Sequence, residues 1–173
     1  FPLLSWAGFL TDWKGPAEGE RPAAYIVLLG DRTVSQTFGI DPGIADTGYG
    51  VIAVSGGQLA CLDYGSITTP AKMAMAERLE WLARELHRII RKHKPDLVAI
   101  EQLFFCQNVK TALIVGQARG VIMLSARWNR KQIVEFTPLQ VKQAVSAYGK
   151  ASKLQVQKMV KLLLNLADIP KPD

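Results

Sequence analysis

The sequence predicts an α/β fold in which helices cover both faces of a five-stranded mixed sheet. From residue 35 onward, short apolar runs bounded by glycine or proline are interspersed with long amphipathic stretches. The first three runs lie close together, and Ser55-Gly56-Gly57 between the second and third is typical of an antiparallel hairpin. Beyond residue 70 helices and strands alternate, which is typical of parallel strands joined by crossover helices.

The strands are predicted from apolar runs that contain β-branched residues and end at turn residues. The first is more polar at its start than the others and ends at Asp41, directly before Pro42-Gly43. The predicted strands are 37–41, 48–54, 59–68, 96–101 and 132–137.

The helices are predicted from periodicity and from their ends. Residues 74–93 place Leu79, Leu82 and Leu86 on one stripe among charged residues, and Pro95 ends this helix. The predicted helices are 74–93, 108–128, one that begins at Pro138 with Thr137 as its N-cap, and 151–166. We expect 108–128 to be buried, with Gly116 and Gly120 allowing close approach of another backbone. Three hairpin strands followed by alternating helices and strands are the element order of the ribonuclease H-like fold.

Length and composition favour one water-soluble domain with a short appendage. The chain has 173 residues and a net charge of +6. No apolar run reaches the length of a membrane span, so we expect no membrane association and a cytoplasmic location. Residues 1–34 are rich in turn residues and are predicted to be an extraneous segment rather than an independent domain. Residues 35–173 form the predicted functional domain.

The cysteines and histidines do not form a metal-binding pattern. Cys61 and Cys106 are isolated, and the chain has only two histidines, so a zinc site is not expected. His87 lies on a charged helix face and His93 lies near the end of that helix. Both histidines are therefore predicted to be solvated.

Two acids at strand ends are the strongest functional pattern. Asp41 ends the first strand in Gly39-Ile40-Asp41-Pro42-Gly43, and Glu101 ends the aliphatic run 97–101. An acid in this position is poorly solvated, and we expect it either to bind a cation or to move a proton. Two such acids on adjacent parallel strands would point at one divalent metal site, which suits phosphodiester cleavage. The simpler alternatives are that Asp41 caps a turn and that Glu101 is a hydrogen-bonded strand-end acid.

From about Phe38 to the last residue, the chain resembles the RuvC family of Holliday-junction resolvases. The resemblance lies in six blocks in the family's order. They are Gly39-Ile40-Asp41-Pro42-Gly43 with Thr47-Gly48-Tyr49-Gly50-Val51; Pro95-Asp96 through Ile100-Glu101-Gln102-Leu103-Phe104-Phe105; Asn108-Val109-Lys110-Thr111-Ala112-Leu113; Gly116-Gln117-Ala118-Arg119-Gly120; Glu135-Phe136-Thr137-Pro138 with Gln140-Val141-Lys142-Gln143; and Ile169-Pro170-Lys171-Pro172-Asp173.

The resemblance implies a homodimeric endonuclease that nicks four-way DNA junctions symmetrically, with a branch-migration motor complex as a partner. It also implies two Mg²⁺ ions per active site, for which Mn²⁺ can substitute. By motif position the catalytic and metal-binding carboxylates are Asp41, Glu101 and Asp173. Without the family motif, Asp173 would be interpreted as a helix N-cap. The family motif has a further Asp three residues later. The alternative expectation is thus a fragment that binds junctions but is catalytically impaired.

The resemblance also supplies candidate DNA-binding residues. An aromatic ring at Phe104 would stack on unpaired bases at the junction, and the alternative is a core position. The basic candidates are Lys110, Arg119, Lys142 and Lys153. For Lys142 and Lys153 the alternative is an ordinary surface position, and for Lys110 and Arg119 it is a position on the dimer helix.

Three other functions are alternatives for this sequence. An ATPase of the sugar-kinase or actin type also begins with a strand, an Asp and a glycine turn, but it needs a second phosphate loop and about twice this length. A non-enzymatic junction binder would bind four-way DNA without Mg²⁺-dependent nicking. A hydrolase of RNA–DNA hybrids shares the fold, but through the resemblance the basic helices and Phe104 favour branched DNA. Residues 1–34 weakly resemble a nitroreductase-like flavoprotein at Trp6-Ala7-Gly8 and Asp12-Trp13, from which no flavin binding is inferred.

Overall fold

The computed structural model describes residues 36–55, 58–102, 109–141 and 152–169. The strands are β1 (Gln36–Asp41), β2 (Asp46–Ser55), β3 (Gln58–Thr68), β4 (Leu97–Glu101) and β5 (Gln132–Phe136). The helices are α1 (Met75–His93), α2 (Val109–Trp128) and α3 (Lys153–Leu163), with a further helical turn at 138–141. The predictions for residues 1–34, for the turn Gly56-Gly57 and for the continuation of the helix from Pro138 lie outside the described residues.

The five strands form one mixed sheet in the order β3-β2-β1-β4-β5. β1 pairs with β2 and β2 with β3 in antiparallel fashion, whereas β1 with β4 and β4 with β5 are parallel. This topology confirms the predicted fold class. β1 therefore lies at the centre of the sheet, between a hairpin strand and the first crossover strand.

One face of the sheet packs against α1 and α2. Alternate residues of the two central strands enter this core, because successive side chains of a strand point to opposite faces. The members of this core include Phe38, Ile40, Val98 and Ile100 from the sheet, Leu82, Leu86 and Ile89 from α1, and Ala118, Ile122 and Ala126 from α2. The alternation leaves Asp41 and Glu101 on the opposite face. In α3, Val156 and Val160 are buried outside this first core.

The ends of α1 follow local rules. At its start the Glu77 carboxylate accepts a hydrogen bond of 3.1 Å from the main-chain N–H of Ala74. This contact satisfies one of the amides that a helix leaves without a partner in its first turn. At its end Lys94 adopts a left-handed conformation, and its N–H donates to the Ile90 carbonyl at 2.8 Å. The chain is thereby turned toward β4.

The prediction that the second long helix is buried is wrong. Only Ala118, Ile122, Ser125 and Ala126 of α2 are buried, and a side chain added at Gly116 or Gly120 would meet nothing within 4 Å. Within the described residues, the helix lies on the outside of a single sheet layer, and only one of its faces has a neighbour there. Among the described residues, α2 is also the one helix long and apolar enough by composition to cross a membrane. Its buried face joins the core, which explains part of that apolar composition.

The prediction that His93 is solvated is also wrong. Its ring Nε2 lies 2.7 Å from Asp63 Oδ2, and only 11% of its side chain is exposed. Lys92 Nζ donates to the same oxygen at 2.8 Å. The partner, Asp63, lies on β3, which no feature of the helix itself could have indicated. His87 is exposed, as predicted.

Candidate active site

The two strand-end acids lie next to each other. The parallel register of β1 and β4 ends with Ile40 opposite Ile100, so that Asp41 and Glu101 are the next residues of two neighbouring strands. Neighbouring strands are about 4.8 Å apart, and both acids lie on the same face by alternation. Both are partly buried. The sheet therefore brings together two carboxylates that are 60 residues apart in the sequence.

The turn after Asp41 is fixed by backbone contacts. A Cβ atom added at Gly43 would overlap the carbonyl oxygen of Asp46, so that this position requires glycine. The Thr47 hydroxyl donates to the Gly43 carbonyl, and the Thr69 hydroxyl donates to the Ile44 carbonyl. Arg78 Nε in turn donates to the Thr69 hydroxyl at 2.8 Å. These contacts join the turn to the start of β2 and to α1.

The backbone around Glu101 is held from two sides. On one side the N–H of Gln102 donates to the Phe136 carbonyl of β5 at 2.7 Å. On the other side Arg119 Nη1 of α2 donates to the Glu101 carbonyl at 2.7 Å. Arg119 Nη2 also forms an ion pair with Glu135 Oε1 of β5. The end of β4 is thus connected to both β5 and α2.

The chemistry of this pair suits a hard divalent cation. Carboxylate oxygens are the ligands that Mg²⁺ and Mn²⁺ prefer, and Mg²⁺ needs only one or two carboxylates when water and phosphate complete its shell. In the part of the chain that the structure describes, no group of three or more His, Cys, Asp or Glu residues could hold a metal. Asp173, the third predicted ligand, lies outside the described residues. Asp41 and Glu101 fit a metal site of low protein ligand number.

The structure does not bring the predicted DNA-binding residues together as one described surface. Lys110 is exposed in the first turn of α2, and Lys153 begins α3. Arg119 instead directs its guanidinium to the Glu101 carbonyl and Glu135, with 16% of its side chain exposed. Phe104 and Lys142 lie outside the described residues.

Sequence reasoning missed two polar clusters. The Arg119–Glu135 pair could have been suspected, since an arginine in a helix as apolar as α2 needs a partner. The second cluster joins Asp63 to Lys92 and His93. Burial alone would raise the pKa of Asp63, but the hydrogen bonds from Lys92 and His93 outweigh it and hold that pKa below its ordinary value. This cluster lies on β3 and α1 and fixes the end of that helix to the sheet.

A groove of about 530 Å³ lies between α1 and α2, away from the acids. It is lined by Leu79, Ala83, His87, Leu124 and Trp128, among others. Neither Asp41 nor Glu101 contributes to it, so it is not part of the candidate active site.

Comparison with known proteins identifies one family. The family model for the crossover junction endodeoxyribonuclease RuvC matches residues 37–173. The RuvC protein of Alkaliphilus oremlandii is 61% identical over 135 residues, which cover 78% of this chain and 82% of that protein. The RuvC protein of Halothermothrix orenii is 55% identical over the same shares of both chains.

Solved structures agree with this finding. The structure of Thermus thermophilus RuvC in complex with a Holliday junction substrate superposes with a TM-score of 0.76. It is 32% identical and covers 80% of this chain and 84% of that one. The yeast mitochondrial Holliday junction resolvase Ydc2 has a TM-score of 0.62 and 16% identity, over 94% of this chain and 74% of that one. At that identity the likeness concerns the fold alone.

Proposed function

Because the chain belongs to the RuvC family of crossover junction endodeoxyribonucleases, we propose that it nicks four-way DNA junctions symmetrically, using the Asp41 and Glu101 carboxylates. The observation that carries this proposal is the parallel register of β1 and β4, which places the two acids side by side on one face. Junction DNA as substrate is supported by the junction complex of the Thermus thermophilus relative. A role in recombination and repair follows from the family.

The carboxylates would hold the cofactor, for which we propose two Mg²⁺ ions, with Mn²⁺ as a substitute. When bound, a pair of such cations lowers the pKa of an attacking water and neutralises charge on the leaving oxygen. Asp41 and Glu101 would provide oxygen ligands, and Asp173 would complete the set. The hydrogen-bonded turn at Gly43 keeps the Asp41 backbone in place, so that its carboxylate need not reorganise when DNA arrives.

DNA binding is proposed to rely on positive charge and stacking. The net charge of +6 favours a polyanion, since each phosphate contact releases counterions. Phe104, Lys142 and Lys153 keep their proposed roles at the junction. Exposed Lys110, at the start of α2, suits a phosphate contact. For Arg119 the internal contacts favour a role within the protein over a DNA contact.

A homodimer is proposed through the outer face of α2. Residues of this face recur every three or four positions: Val109, Leu113, Gly116, Gly120 and Met123. Val109 is 70% and Leu113 is 65% exposed, and the space beyond both glycines is open. A second copy of the chain would cover this apolar stripe, and the glycines would allow two α2 helices to approach closely. We also propose a branch-migration motor as partner and a cytoplasmic location, both from the family.

Cleavage of synthetic DNA tests the proposal. A labelled four-way junction, a linear duplex of the same sequence and an RNA–DNA hybrid are incubated with the protein, with Mg²⁺ or with a chelator. We expect Mg²⁺-dependent cuts in opposed strands of the junction alone. Asp41→Asn should lower the rate by more than about 100-fold, because a direct ligand is lost. Glu80→Gln, on the exposed face of α1, is the matched control and should cleave normally.

Other results would identify the alternatives. Preferential cleavage of the hybrid would indicate a ribonuclease H-type activity. Junction binding without cleavage in either Mg²⁺ or Mn²⁺ would indicate a binding module without catalytic activity. Equal cleavage by the wild-type protein and Asp41→Asn would show that the strand-end acids do not form the active site.

A further inference from the structure

Arg119 occupies an unusual place for a basic residue of a proposed DNA-binding protein. It belongs to α2, yet its guanidinium points away from the exposed stripe and toward the ends of β4 and β5. One nitrogen donates to the Glu101 carbonyl and the other pairs with the Glu135 carboxylate. Burial lowers the pKa of Arg119 from its ordinary value, but an arginine still carries its charge at neutral pH.

The partners of Arg119 explain why an arginine suits this position. Glu135 lies opposite Ile100 in the register of β4 and β5, so its side chain is on the α1 and α2 face of the sheet. The Glu101 side chain points to the other face, and its backbone carbonyl remains within reach of α2. A guanidinium can donate in two directions at once, whereas an ammonium group cannot match this planar geometry. The arginine therefore joins a backbone oxygen and a carboxylate of two strands.

We propose that Arg119 is a positioning residue for the active site, which holds the backbone of Glu101 so that its carboxylate meets the metal. Glu135 is the anchor that orients the guanidinium. The Gln102–Phe136 hydrogen bond holds the same peptide group from its other side, because the Glu101 carbonyl and the Gln102 N–H belong to one peptide unit. A change in the outer shell of a metal site commonly lowers metal affinity or activity by about 10- to 100-fold.

The inference rests on the proposed function, in which Glu101 is a metal ligand. It differs from a DNA-contact role for Arg119 in what it predicts. A phosphate contact contributes to junction binding whether or not metal is present. A positioning residue affects metal binding and the rate, and leaves metal-free junction binding unchanged.

The test compares Arg119→Gln, Arg119→Lys and Glu135→Gln with the wild-type protein. Arg91→Gln, an exposed arginine in the last turn of α1 and away from the outer stripe of α2, is the matched control. Mn²⁺ binding is measured by electron paramagnetic resonance without DNA, junction binding is measured in a chelator, and cleavage is measured against Mg²⁺ concentration. Glu101→Gln identifies the Mn²⁺ signal that belongs to the site. Thermal unfolding of each variant shows that it is folded at the assay temperature.

We expect Arg119→Gln to weaken the Glu101-dependent Mn²⁺ binding about 10-fold or more and to raise the Mg²⁺ midpoint similarly. Metal-free junction binding should stay within about twofold. Arg119→Lys should restore part of the loss, and Glu135→Gln should have a smaller effect, since the Glu101 contact remains. Arg91→Gln should resemble the wild type.

Two results would overturn the inference while leaving the proposed function intact. In the first, Arg119→Gln loses junction binding in the chelator while its metal affinity is unchanged, which would make Arg119 a DNA contact. In the second, the folded variant has a lower melting temperature but wild-type Mn²⁺ affinity and Mg²⁺ midpoint, which would make the pair purely structural. A wild-type protein with neither cleavage nor Glu101-dependent Mn²⁺ binding would instead refute the proposed function, and the inference with it.

Discussion

Truncation of Leu113 to alanine should separate the proposed dimer. Leu113 is 65% exposed in a single chain and lies in the second turn of α2, on its outer stripe. Removing three carbon atoms from a fully buried leucine costs about 2.4 kcal/mol at about 0.8 kcal/mol per carbon. Scaled by the 65% of the side chain that is available to a partner, this becomes about 1.6 kcal/mol. A two-fold symmetric interface contains the residue twice, so the dimer loses about 3 kcal/mol, a roughly 150-fold increase in its dissociation constant.

Sedimentation equilibrium over a wide range of protein concentration measures this change directly. Leu62→Ala is the control, because Leu62 is also exposed but lies on β3, away from α2. It should leave the dissociation constant unchanged. Equal association of wild type and Leu113→Ala, or a wild-type protein that stays monomeric at high concentration, would refute the argument that a second copy covers this stripe.

Two further predictions concern the turn and the polar cluster. Gly43→Ala should lower the rate of junction cleavage by about 100-fold. The new methyl group would displace the turn that holds Asp41, and a misplacement of about 1 Å can reduce a rate this much. An unchanged cleavage rate and an unchanged melting temperature would contradict this prediction. Asp63→Asn tests the pH dependence of stability. The pKa of Asp63 is lowered in the folded state. The contribution of its carboxylate to the free energy of unfolding is therefore present above the unfolded pKa of about 3.9 and is lost as pH falls through the folded pKa. In urea unfolding between pH 3 and pH 7, the stability difference between wild type and variant should therefore shrink below about pH 4, and a difference that is constant with pH would contradict this assignment.

The strands and the adjacency of the acids could be predicted because both follow from local rules. Apolar runs with turn residues at their ends located all five strands to within two residues. The place of Asp41 and Glu101 followed from their positions at the ends of two strands that had to be parallel neighbours. No side-chain detail was needed, since the register of a parallel pair follows from the buried faces.

The errors arose where a residue's environment depends on a distant segment. The apolar composition of α2 was interpreted as burial, yet burial needs a neighbour on each face, and the part of the chain that the structure describes covers a single face of this helix. His93 was assigned to solvent from the charges around it, although its partner Asp63 is 30 residues earlier. The DNA-binding role of Arg119 stays a prediction, but its contacts with Glu135 and the Glu101 carbonyl also depend on strands that are distant in sequence from α2. The periodicity of a helix does not indicate which residues of distant segments it contacts.

Helix α2 connects the candidate active site to the proposed dimer interface. Through Arg119 it contacts the strand that ends in Glu101, and on another face it carries the exposed stripe that we assign to a second copy. A dimer formed through this stripe would place two active sites at a fixed separation, because each site is attached to the helix that forms the interface. Symmetric nicking of opposed strands requires such a fixed geometry, whereas a monomer would cut each strand independently. If Leu113→Ala separates the dimer, we therefore expect paired cuts in one junction to become single nicks before the rate of the first cut declines.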